Sequence, residues 1–489
     1  MNLKNKNFLL ILLTIFISMG CNIQQSNKAK KNRHTNISQQ KETLITNNII
    51  RSMAITDATF KHYFKGDNQV MARFYNPIED KSSSEIGSVW MYSASIEAIN
   101  TILQALKTQK LMGKDSLYNI HYNRYENLLT KLYDNLEYYS GTFEHTSFTQ
   151  TKDWTVYGVN RGAKKGQAKV AGIENVYDDQ QWLIRELLHS YKITDNKHYL
   201  KKAEYLTEYV IDGWDSTLDA FGKPNGGIPW GPGYTTKHSC SNGPFISPLI
   251  WLYELYKDKN DELTYLYISP TGERIEKKVK KSSYYLQFAK DIYHWQKSKL
   301  IRSDGIYDDF LGGCDPDCAV AYEVVNGTTY RANTKLKDVV GPAYSYNTGA
   351  MLSGAVDLFR ATSNKEYLED VKSLGKMSFR YFAKESNTLP GYYEYATSGF
   401  NNWFNGVLMR AFIDANTYDP NTELYIETFQ KNLDYGYEKF AKKNLLPTNL
   451  LHGWDPKNAD VEGMFQLTFA AEYALLATYE MGKIISTNK

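Results

Sequence analysis

Two copies of one ten-residue pattern constrain the fold of this chain more than any other feature of its sequence. Residues 191–200 and 359–368 share an aromatic residue, a base, a threonine, an Asn-Lys pair and a Tyr-Leu pair in the same register. Each copy joins the end of one apolar helical pattern to the start of the next, so each is expected to form the turn of a helical hairpin. In this register Asp179 aligns with Asn347, which predicts that both residues lie at the start of a buried helix.

Helical periodicity covers most of the chain after residue 45 and alternates in character. One set of helices is apolar and rich in small residues, whereas the other carries more lysine and glutamate. Six hairpins of this kind predict an all-α fold, an (α/α)6 toroid whose apolar helices line the centre. A tetratricopeptide solenoid is the alternative, but it needs a period of about 34 residues, and the spacing here is uneven. The predicted helices are 46–64, 90–108, 118–140, 178–193, 197–211, 243–257, 282–300, 343–361, 365–383, 402–416, 422–443 and 460–480.

One insertion, residues 263–279, departs from the helical pattern. Its β-branched and aromatic run at 264–268 is followed by a turn signal at 270–273. A run and a turn of this kind predict a small β-hairpin, which we expect on the rim of the toroid.

The N-terminal residues have the composition of an export signal. Lys4 and Lys6 precede an apolar run at 8–17, which is too short to span a bilayer, and small residues then lead to Cys21. This arrangement resembles a bacterial lipoprotein signal, with cleavage before Cys21 and a lipid on its sulfur. An ordinary secretory signal that ends in cysteine is the alternative.

The predicted domain organisation follows from this signal. Residues 1–20 are the signal peptide, the polar residues 21–45 form a flexible tether, and residues 46–489 form one toroid domain. The protein is then expected to be exported and lipid-anchored in the bacterial cell envelope, either in the periplasm or on the surface of the outer membrane.

An exported chain meets an oxidising compartment, in which disulfides persist. Cys314 and Cys318 are close enough in sequence to form a small disulfide loop. A zinc site is not expected there, because the neighbouring sequence supplies too few further ligands.

Composition favours a carbohydrate-binding protein and argues against other classes. The chain contains 39 tyrosines and nine tryptophans, whose faces suit sugar rings, although large helical cores are also rich in tyrosine. The net charge of +3 without a basic face gives no support to nucleic-acid binding. The histidines have no metal-binding spacing, and neither a phosphate-binding glycine loop nor a nucleophile elbow is visible. Neither a metal nor a cofactor is therefore expected.

Two adjacent carboxylates, Asp178 and Asp179, are the best candidates for catalysis. All inner helices of a toroid begin at one mouth, and long loops rich in aromatic, glycine and acidic residues enter there, which predicts a cleft at this mouth. Helix capping is the alternative, because aspartate is a favoured N-cap residue and the helix dipole stabilises it. The two interpretations are compatible. The predicted loops are 154–177, 213–242, 303–346 and 391–405.

A pair of carboxyl groups is the machinery that hydrolyses glycosidic bonds. Retention requires a separation of about 5–5.5 Å and inversion about 6.5–9.5 Å, and adjacency in the chain favours the shorter distance. Two carboxyls this close should differ in pKa, so that one stays protonated as the acid.

Asp308 and Asp309 form a second Tyr-Asp-Asp segment. Because it lies in a long loop and lacks a following tryptophan, we expect it to contact substrate or to structure its loop.

The segment VYDDQQW at 176–182 resembles the signature of glycoside hydrolase family 76, the endo-α-1,6-mannanases. Further segments similar to that family follow in order, and together the resemblance covers most of residues 60–480. One departure is Leu183, where family members often have a second aromatic residue. The further segments are GWD at 213–215, GGIPW at 226–230, KHSCSNGP at 237–244 and YSYNTG at 344–349.

This resemblance implies an (α/α)6 fold and endo-acting, retaining hydrolysis of α-1,6-mannosidic linkages in α-mannan, without a cofactor. Asp178 would be the nucleophile and Asp179 the general acid/base. Several candidate substrate-binding residues also have an alternative to contact with substrate. The aromatic candidates near residue 230 could instead pack on the rim. Asn242 could instead cap its helix, and Trp403 could instead lie in the core. The candidate substrate-binding residues are Tyr177, Trp182, Trp230, Tyr234, Lys237, Asn242, Asp308, Asp309, Tyr346, Asn347 and Trp403.

Two other functions stay open at this point. One is a different sugar enzyme on the same toroid, such as an unsaturated glucuronyl hydrolase. The other is a glycan-binding lipoprotein without catalytic activity.

Overall fold

The computed structural model describes residues 39–314 and 319–487, and α-helices dominate this part of the chain. Each of the twelve helices found there overlaps a predicted one, with bounds that differ by at most seven residues, at the start of the first helix and at the end of the last. They are α1 (39–63), α2 (Val89–Leu111), α3 (Ser116–Leu136), α4 (Tyr177–Thr194), α5 (Lys197–Asp212), α6 (Ile246–Tyr256), α7 (Lys281–Leu300), α8 (Ser345–Thr362), α9 (Lys365–Phe382), α10 (Asn401–Ala415), α11 (Thr422–Phe440) and α12 (Gly463–Thr487).

The even-numbered helices form a closed inner ring. Each packs against the next even-numbered helix, and α12 packs against α2 to complete the circle. The odd-numbered helices form an outer layer, in which α3, α5, α7, α9 and α11 each pack on the inner helix before them. In the same layer, Arg51 of α1 pairs with Asp434 of α11 at 2.5 Å. The predicted (α/α)6 toroid is therefore confirmed.

Small residues allow the inner helices to approach each other closely. At Gly349 of α8 an added Cβ would lie only 3.0 Å from the Cα of Leu408 in α10. The inner helices are buried nearly all round, whereas the outer helices bury one face and expose the other. This difference is the physical origin of the alternating composition along the chain.

The repeated ten-residue segments form equivalent turns. Asp195 and Ser363 end α4 and α8 in the left-handed conformation, with φ of 56° and 58°. Asn196 and Asn364 then cap α5 and α9, because each side chain accepts a hydrogen bond from the backbone N–H two residues further on, at 3.0 and 3.1 Å. Each copy of the repeat thus ends one helix and begins the next.

Short strands lie in the connections between the helices. Strands β8 and β9 pair antiparallel along their whole length, which confirms the predicted hairpin. A three-stranded sheet in the order β13-β10-β7 was not predicted. The strands are β1 (Phe64–Lys65), β2 (Val70–Met71), β3 (Phe74–Asn76), β4 (Lys81–Ser82), β5 (Ser140–Thr146), β6 (Thr151–Tyr157), β7 (Lys237–His238), β8 (Glu262–Ile268), β9 (Arg274–Lys280), β10 (Phe310–Cys314), β11 (Tyr322–Val325), β12 (Thr328–Arg331), β13 (Leu336–Val340), β14 (Lys384–Glu385), β15 (Tyr393–Glu394) and β16 (Val461–Glu462).

The N-terminal boundary differs from the prediction. Residues 39–45, assigned to the tether from their polar composition, are helical and belong to α1. The predicted signal peptide, Cys21 and the rest of the tether lie outside the described residues, as does the predicted pairing of Cys314 with Cys318. Within 39–314 and 319–487, no helix is long and apolar enough to cross a membrane.

Candidate active site

Helix α4 begins without a side-chain cap. Val176, in extended conformation, occupies the N-cap position, and the backbone N–H of Tyr177 donates to the carbonyl of Trp230 at 2.8 Å. Asp178 and Asp179 therefore lie in the first turn of the helix, and neither occupies the N-cap position that the alternative interpretation gave them. Their carboxyl groups are left available for chemistry at the mouth of the ring.

The Asp178 carboxyl is the more accessible of the two and has polar neighbours. The Cys240 thiol, the Trp230 indole and the backbone N–H groups at the start of α4 lie near it and favour its charged form, although the Trp230 Nε1 and the Asp178 Oδ1 make no hydrogen bond within the described residues. Burial opposes them and is the larger effect, so the pKa of Asp178 is raised to about 6. Near neutral pH this carboxyl is therefore ionised.

The Asp179 carboxyl is in a different environment. It is 6% exposed, and burial raises its pKa well above the usual range, with a further increase from the charge of Asp178. Within the described part of the chain, no donor group counters this increase. Asp179 is therefore the member of the pair that retains its proton more readily. Two adjacent carboxyls, one ionised and one protonated, can act as nucleophile and acid on one bond.

A row of aromatic rings lies beside the acids. Trp230 packs against Tyr234 at 4.7 Å between ring centroids and stacks on His238 at 4.8 Å. The His238 ring in turn stacks on Phe310 at 5.0 Å. Burial raises the pKa of Tyr234, and the charge of Asp178 raises it further, which places this row next to the pair. Trp230 and Tyr234 are both partly exposed and can offer faces to a sugar.

The second aspartate pair is divided between two environments. Strand β10 pairs with β7, and the carbonyl of Asp309 accepts a hydrogen bond from the backbone N–H of Ser239 at 2.6 Å. The Asp309 carboxylate accepts a further hydrogen bond from the hydroxyl of Tyr346. Asp308 instead lies 3.7 Å from the guanidinium of Arg302. Asp309 is thus the member of this pair that belongs to the site.

Cys240 joins the two aspartate pairs. Its thiol is buried, and the charges of Asp178 and Asp309 raise its pKa together with burial. Tyr346 also contacts it. Sequence reasoning missed this residue as part of the site, because a single cysteine within a loop motif carries no chemical signal of its own.

Asn347 follows Tyr346 at the start of α8 and is fully buried. Burial raises the pKa of the nearby Asp309 carboxyl, and the Asn347 amide partly offsets this, although its nitrogen and oxygen make no hydrogen bond within the described residues. The repeat register paired Asn347 with Asp179, and both residues do lie in the first turn of an inner helix.

A second aromatic group continues from α4 around the ring. Trp182, four residues after Asp178 and therefore on the same side of α4, packs edge-on against Trp403 at 4.7 Å. Trp403 packs edge-on against Trp90 at 5.1 Å. Phe404 connects this group to Tyr346 at 4.6 Å. Trp182 and Trp403 are 7% and 4% exposed and belong to the hydrophobic core, which favours core packing over contact with substrate.

Tyr177 has a structural position that was not predicted. It is fully buried, its hydroxyl lies 3.1 Å from the Nε2 of His145, and its ring packs on Tyr209 of α5 at 5.1 Å. The side chain therefore points into the outer layer and anchors the start of α4. This position does not support its predicted contact with substrate.

Lys237 and Asn242 hold a loop together. The ammonium of Lys237 donates to Asp215 at 2.7 Å and to the carbonyl of Gly226 at 2.6 Å. The amide of Asn242 accepts from the backbone N–H of Ile228 at 2.9 Å and donates to its carbonyl at 3.0 Å. Both side chains are used within the protein, so their predicted bonds to sugar hydroxyls gain no support, and Asn242 makes no helix-capping bond.

A metal centre was not expected, and the described residues contain no group of three or more His, Cys, Asp or Glu side chains that could hold an ion.

Several solved structures of similar fold are family 76 glycoside hydrolases. One, a mannosidase of Bacteroides thetaiotaomicron VPI-5482, has a TM-score of 0.64 at 19% identity and covers 91% of this chain and 100% of its own. An α-mannanase of Bacteroides thetaiotaomicron has a TM-score of 0.62 at 16% identity, covering 91% and 99%.

A third similar structure is an α-1,6-mannanase of Salegentibacter sp. HEL1_6, an inactive variant with two aspartates replaced by asparagine, in complex with α-1,6-mannotriose. Its TM-score is 0.57 at 18% identity, covering 88% of this chain and 99% of its own. No curated protein sequence matches this chain.

The model of glycosyl hydrolase family 76 matches residues 129–266 and 273–477, a span that includes both aspartate pairs, the aromatic row and the loop held by Lys237. The chain therefore belongs to glycosyl hydrolase family 76 and is a glycoside hydrolase.

Proposed function

We propose that this hydrolase cleaves α-1,6-mannosidic linkages within α-mannan chains and retains the anomeric configuration. The observation that carries the proposal is the position of two adjacent carboxyls, Asp178 and Asp179, in the first turn of the inner helix α4 beside the aromatic row of Trp230 and Tyr234. Burial raises the pKa of both carboxyls, and the charge of Asp178 raises that of Asp179 further. The α-1,6-mannanase of Salegentibacter, a protein of the same fold in complex with α-1,6-mannotriose, supports the choice of linkage.

In the first step the Asp178 carboxylate attacks the anomeric carbon and forms a glycosyl ester. The bond from that carbon to the leaving oxygen breaks, and Asp179 transfers its proton to this oxygen. In the second step Asp179, now a carboxylate, takes a proton from water, and the resulting hydroxide attacks the anomeric carbon. The ester bond breaks and Asp178 leaves as a carboxylate.

The charge of Asp178 contributes to the change of role of Asp179. While Asp178 is ionised, its charge raises the pKa of Asp179 and keeps the acid protonated. Formation of the ester removes this charge, so the pKa of Asp179 falls at the stage where a base is needed. Regeneration of Asp178 reverses the change.

The sugar that is attacked would lie against the aromatic row of Trp230 and Tyr234. Both rings are partly exposed and lie near Asp178, and sugar rings pack on aromatic faces. The Asp309 carboxylate, held by Tyr346, would accept hydrogen bonds from hydroxyl groups of the sugar. No cofactor takes part.

Two conservative variants test the catalytic assignment. Asp178→Asn and Asp179→Asn are each expected to reduce turnover of linear α-1,6-mannan at least about 100-fold with unchanged circular dichroism. Proton NMR of the first product should show the α-anomer. Near-normal turnover in both variants, or the β-anomer appearing first, would contradict the proposal.

Product analysis tests the endo mode and the linkage. Debranched yeast α-mannan is expected to yield short manno-oligosaccharides, whereas β-1,4-mannan should not be cleaved. Release of mannose alone from the chain ends would contradict endo action.

We further propose that the enzyme is exported and lipid-anchored at Cys21, on the basis of the signal-like N-terminal sequence. Labelling of bacteria with radioactive palmitate should mark the protein, and Cys21→Ala should remove the label. Equal labelling of the variant would contradict the anchor. Protease treatment of intact cells then distinguishes a surface location from the periplasm.

A further inference from the structure

A second cavity lies on the outside of the ring. It has a volume of about 610 Å³ and lies between α5 and α7, under the hairpin of β8 and β9. Its lining shares no residue with the site around Asp178 and Asp179. A volume of this size falls within the range of sites for small organic ligands, and the mechanism above makes no use of it.

Aromatic side chains line this cavity from three directions. Trp214 follows α5, Phe288 lies on α7 and Tyr265 lies on β8. Their ring centroids are 6.2 Å apart for Trp214 and Phe288, and 6.1 Å for Tyr265 and Phe288. All three are partly exposed. The cavity therefore offers aromatic faces to a ligand that has apolar faces of its own.

One buried carboxylate has an oxygen without a partner. The Oδ1 of Asp212 accepts hydrogen bonds from Ser147 at 3.0 Å and Gln150 at 2.8 Å. Its Oδ2 is buried and has no partner within the described residues, and the residue as a whole is 9% exposed. The hydroxyl of Ser216, also in the lining, is likewise buried and unpartnered there. An unpaired buried acceptor is costly unless a ligand donates to it.

Two of the five acids in the lining are ion-paired, since Glu204 pairs with Lys281 at 2.6 Å and Glu208 with Lys152 at 2.7 Å. The other three, Asp212, Glu276 and Asp291, form no salt bridge within the described residues and offer carboxyl oxygens that can accept hydrogen bonds. The unpartnered oxygens of the lining can accept hydrogen bonds from hydroxyl groups of a ligand that lies next to the aromatic faces. A neutral sugar has such hydroxyl groups and packs on aromatic faces.

We propose that this cavity is a second binding site for a neutral oligosaccharide, namely a segment of the polymer that the active site cleaves. The identity of the polymer rests on the proposed function, whereas the cavity's preference for a neutral sugar rests on its own lining. Binding there would hold the enzyme on its substrate and raise the effective concentration of chain at the mouth of the ring. The hairpin insertion supplies the outer wall, with Leu263, Tyr265 and Tyr267 sharing one face of β8.

Binding is measured in the catalytically inactive Asp178→Asn, Asp179→Asn variant, so that the polymer stays intact. Linear α-1,6-mannan is the probe, and affinity electrophoresis gives the dissociation constant. Adding Tyr265→Ala or Asp212→Asn is expected to weaken binding about 5-fold, the effect of one lost contact. The matched control is Tyr118→Ala, which removes a partly buried tyrosine of α3 that does not line the cavity.

A second measurement uses the active enzyme. With Tyr265→Ala, kcat/KM for a short manno-oligosaccharide should stay within twofold of the parent value, while KM for the polymer should rise. Thermal melting identifies any variant that fails to fold, and Tyr267→Ala then replaces it.

The outcomes separate the two proposals. If the parent enzyme does not cleave α-1,6-mannan, the proposed function fails, and binding is repeated with other neutral polysaccharides, namely β-mannan, glucans and galactans. Loss of binding to any of these on Tyr265→Ala would support the second site. Unchanged binding of every polysaccharide by folded Tyr265→Ala and Asp212→Asn variants would overturn it.

Discussion

The hydroxyl of Tyr346 donates a hydrogen bond to the carboxylate of Asp309. This bond ties the first turn of the inner helix α8 to strand β10, and Cys240 places it beside Asp178. The second aspartate pair is thereby joined to the first, although about 130 residues separate them in sequence.

Replacement of Tyr346 by phenylalanine tests this connection. Tyr346→Phe removes the donor that lowers the pKa of Asp309, so this partly buried carboxyl will protonate at a higher pH and bind sugar hydroxyls less well. We expect kcat/KM on α-1,6-mannan to fall about 10-fold, with the loss greater at pH 5 than at pH 8. Steady-state kinetics at both pH values gives the measurement.

Tyr344→Phe is the matched control for this variant. Tyr344 packs on the same ring, Phe404, at 5.1 Å, but its hydroxyl does not bond to Asp309. Equal losses in the two phenylalanine variants would mean that the hydrogen bond to Asp309 has no particular role.

The pH dependence of kcat/KM follows from the acid pair. As the pH falls through about 6, Asp178 takes up a proton and can no longer attack, so the rate should decline. As the pH rises, Asp179 loses the proton that the leaving oxygen needs, which gives an alkaline limb. We expect a bell-shaped profile whose apparent pKa values belong to the pair. An acid limb near pH 4, the usual value for aspartate, would contradict the raised pKa of Asp178.

The ring could be predicted from the sequence because its signals are local. The left-handed stops at Asp195 and Ser363 and the caps at Asn196 and Asn364 repeat as a readable pattern, and burial of the inner helices determines their composition. The aspartate pair at the start of α4 was found by the same reasoning. Residues 39–45 were missed because a polar amphipathic turn has the composition of a tether.

The remainder of the site depends on contacts between distant segments. Strands β7 and β10 are separated by about 70 residues, and their pairing brings Asp309 to Ser239. The direction of the Tyr177 side chain is set by His145, on a strand of another loop. Lys237 was predicted to face a sugar. Its partners in the structure, Asp215 and the Gly226 carbonyl, could not be identified from the sequence because they meet it only in the folded loop.

Glycine at position 227 is required by both conformation and space. Its φ is 77°, and an added Cβ would lie 2.3 Å from the ring of Trp295. Gly227→Ala is expected to lower the free energy of unfolding by at least about 2 kcal/mol and to displace the loop that carries Trp230. Gly222→Ala, at φ 74° with open space around it, should cost only about 1 kcal/mol. Urea unfolding of both variants measures the difference, and equal costs would show that contact with Trp295 is unimportant.

Variants of the ion pair between Lys237 and Asp215 test whether Lys237 stabilises its loop or binds the sugar. Both side chains are buried, at 7% and 1% exposed, so Lys237→Met leaves an uncompensated carboxylate inside the loop. We expect a loss of about 3–5 kcal/mol in the free energy of unfolding. The double variant Lys237→Met, Asp215→Asn removes the stranded charge and should recover part of that loss. A residue that bound sugar through its ammonium would behave differently: Lys237→Met would raise KM at unchanged stability, and Asp215→Asn would not restore it.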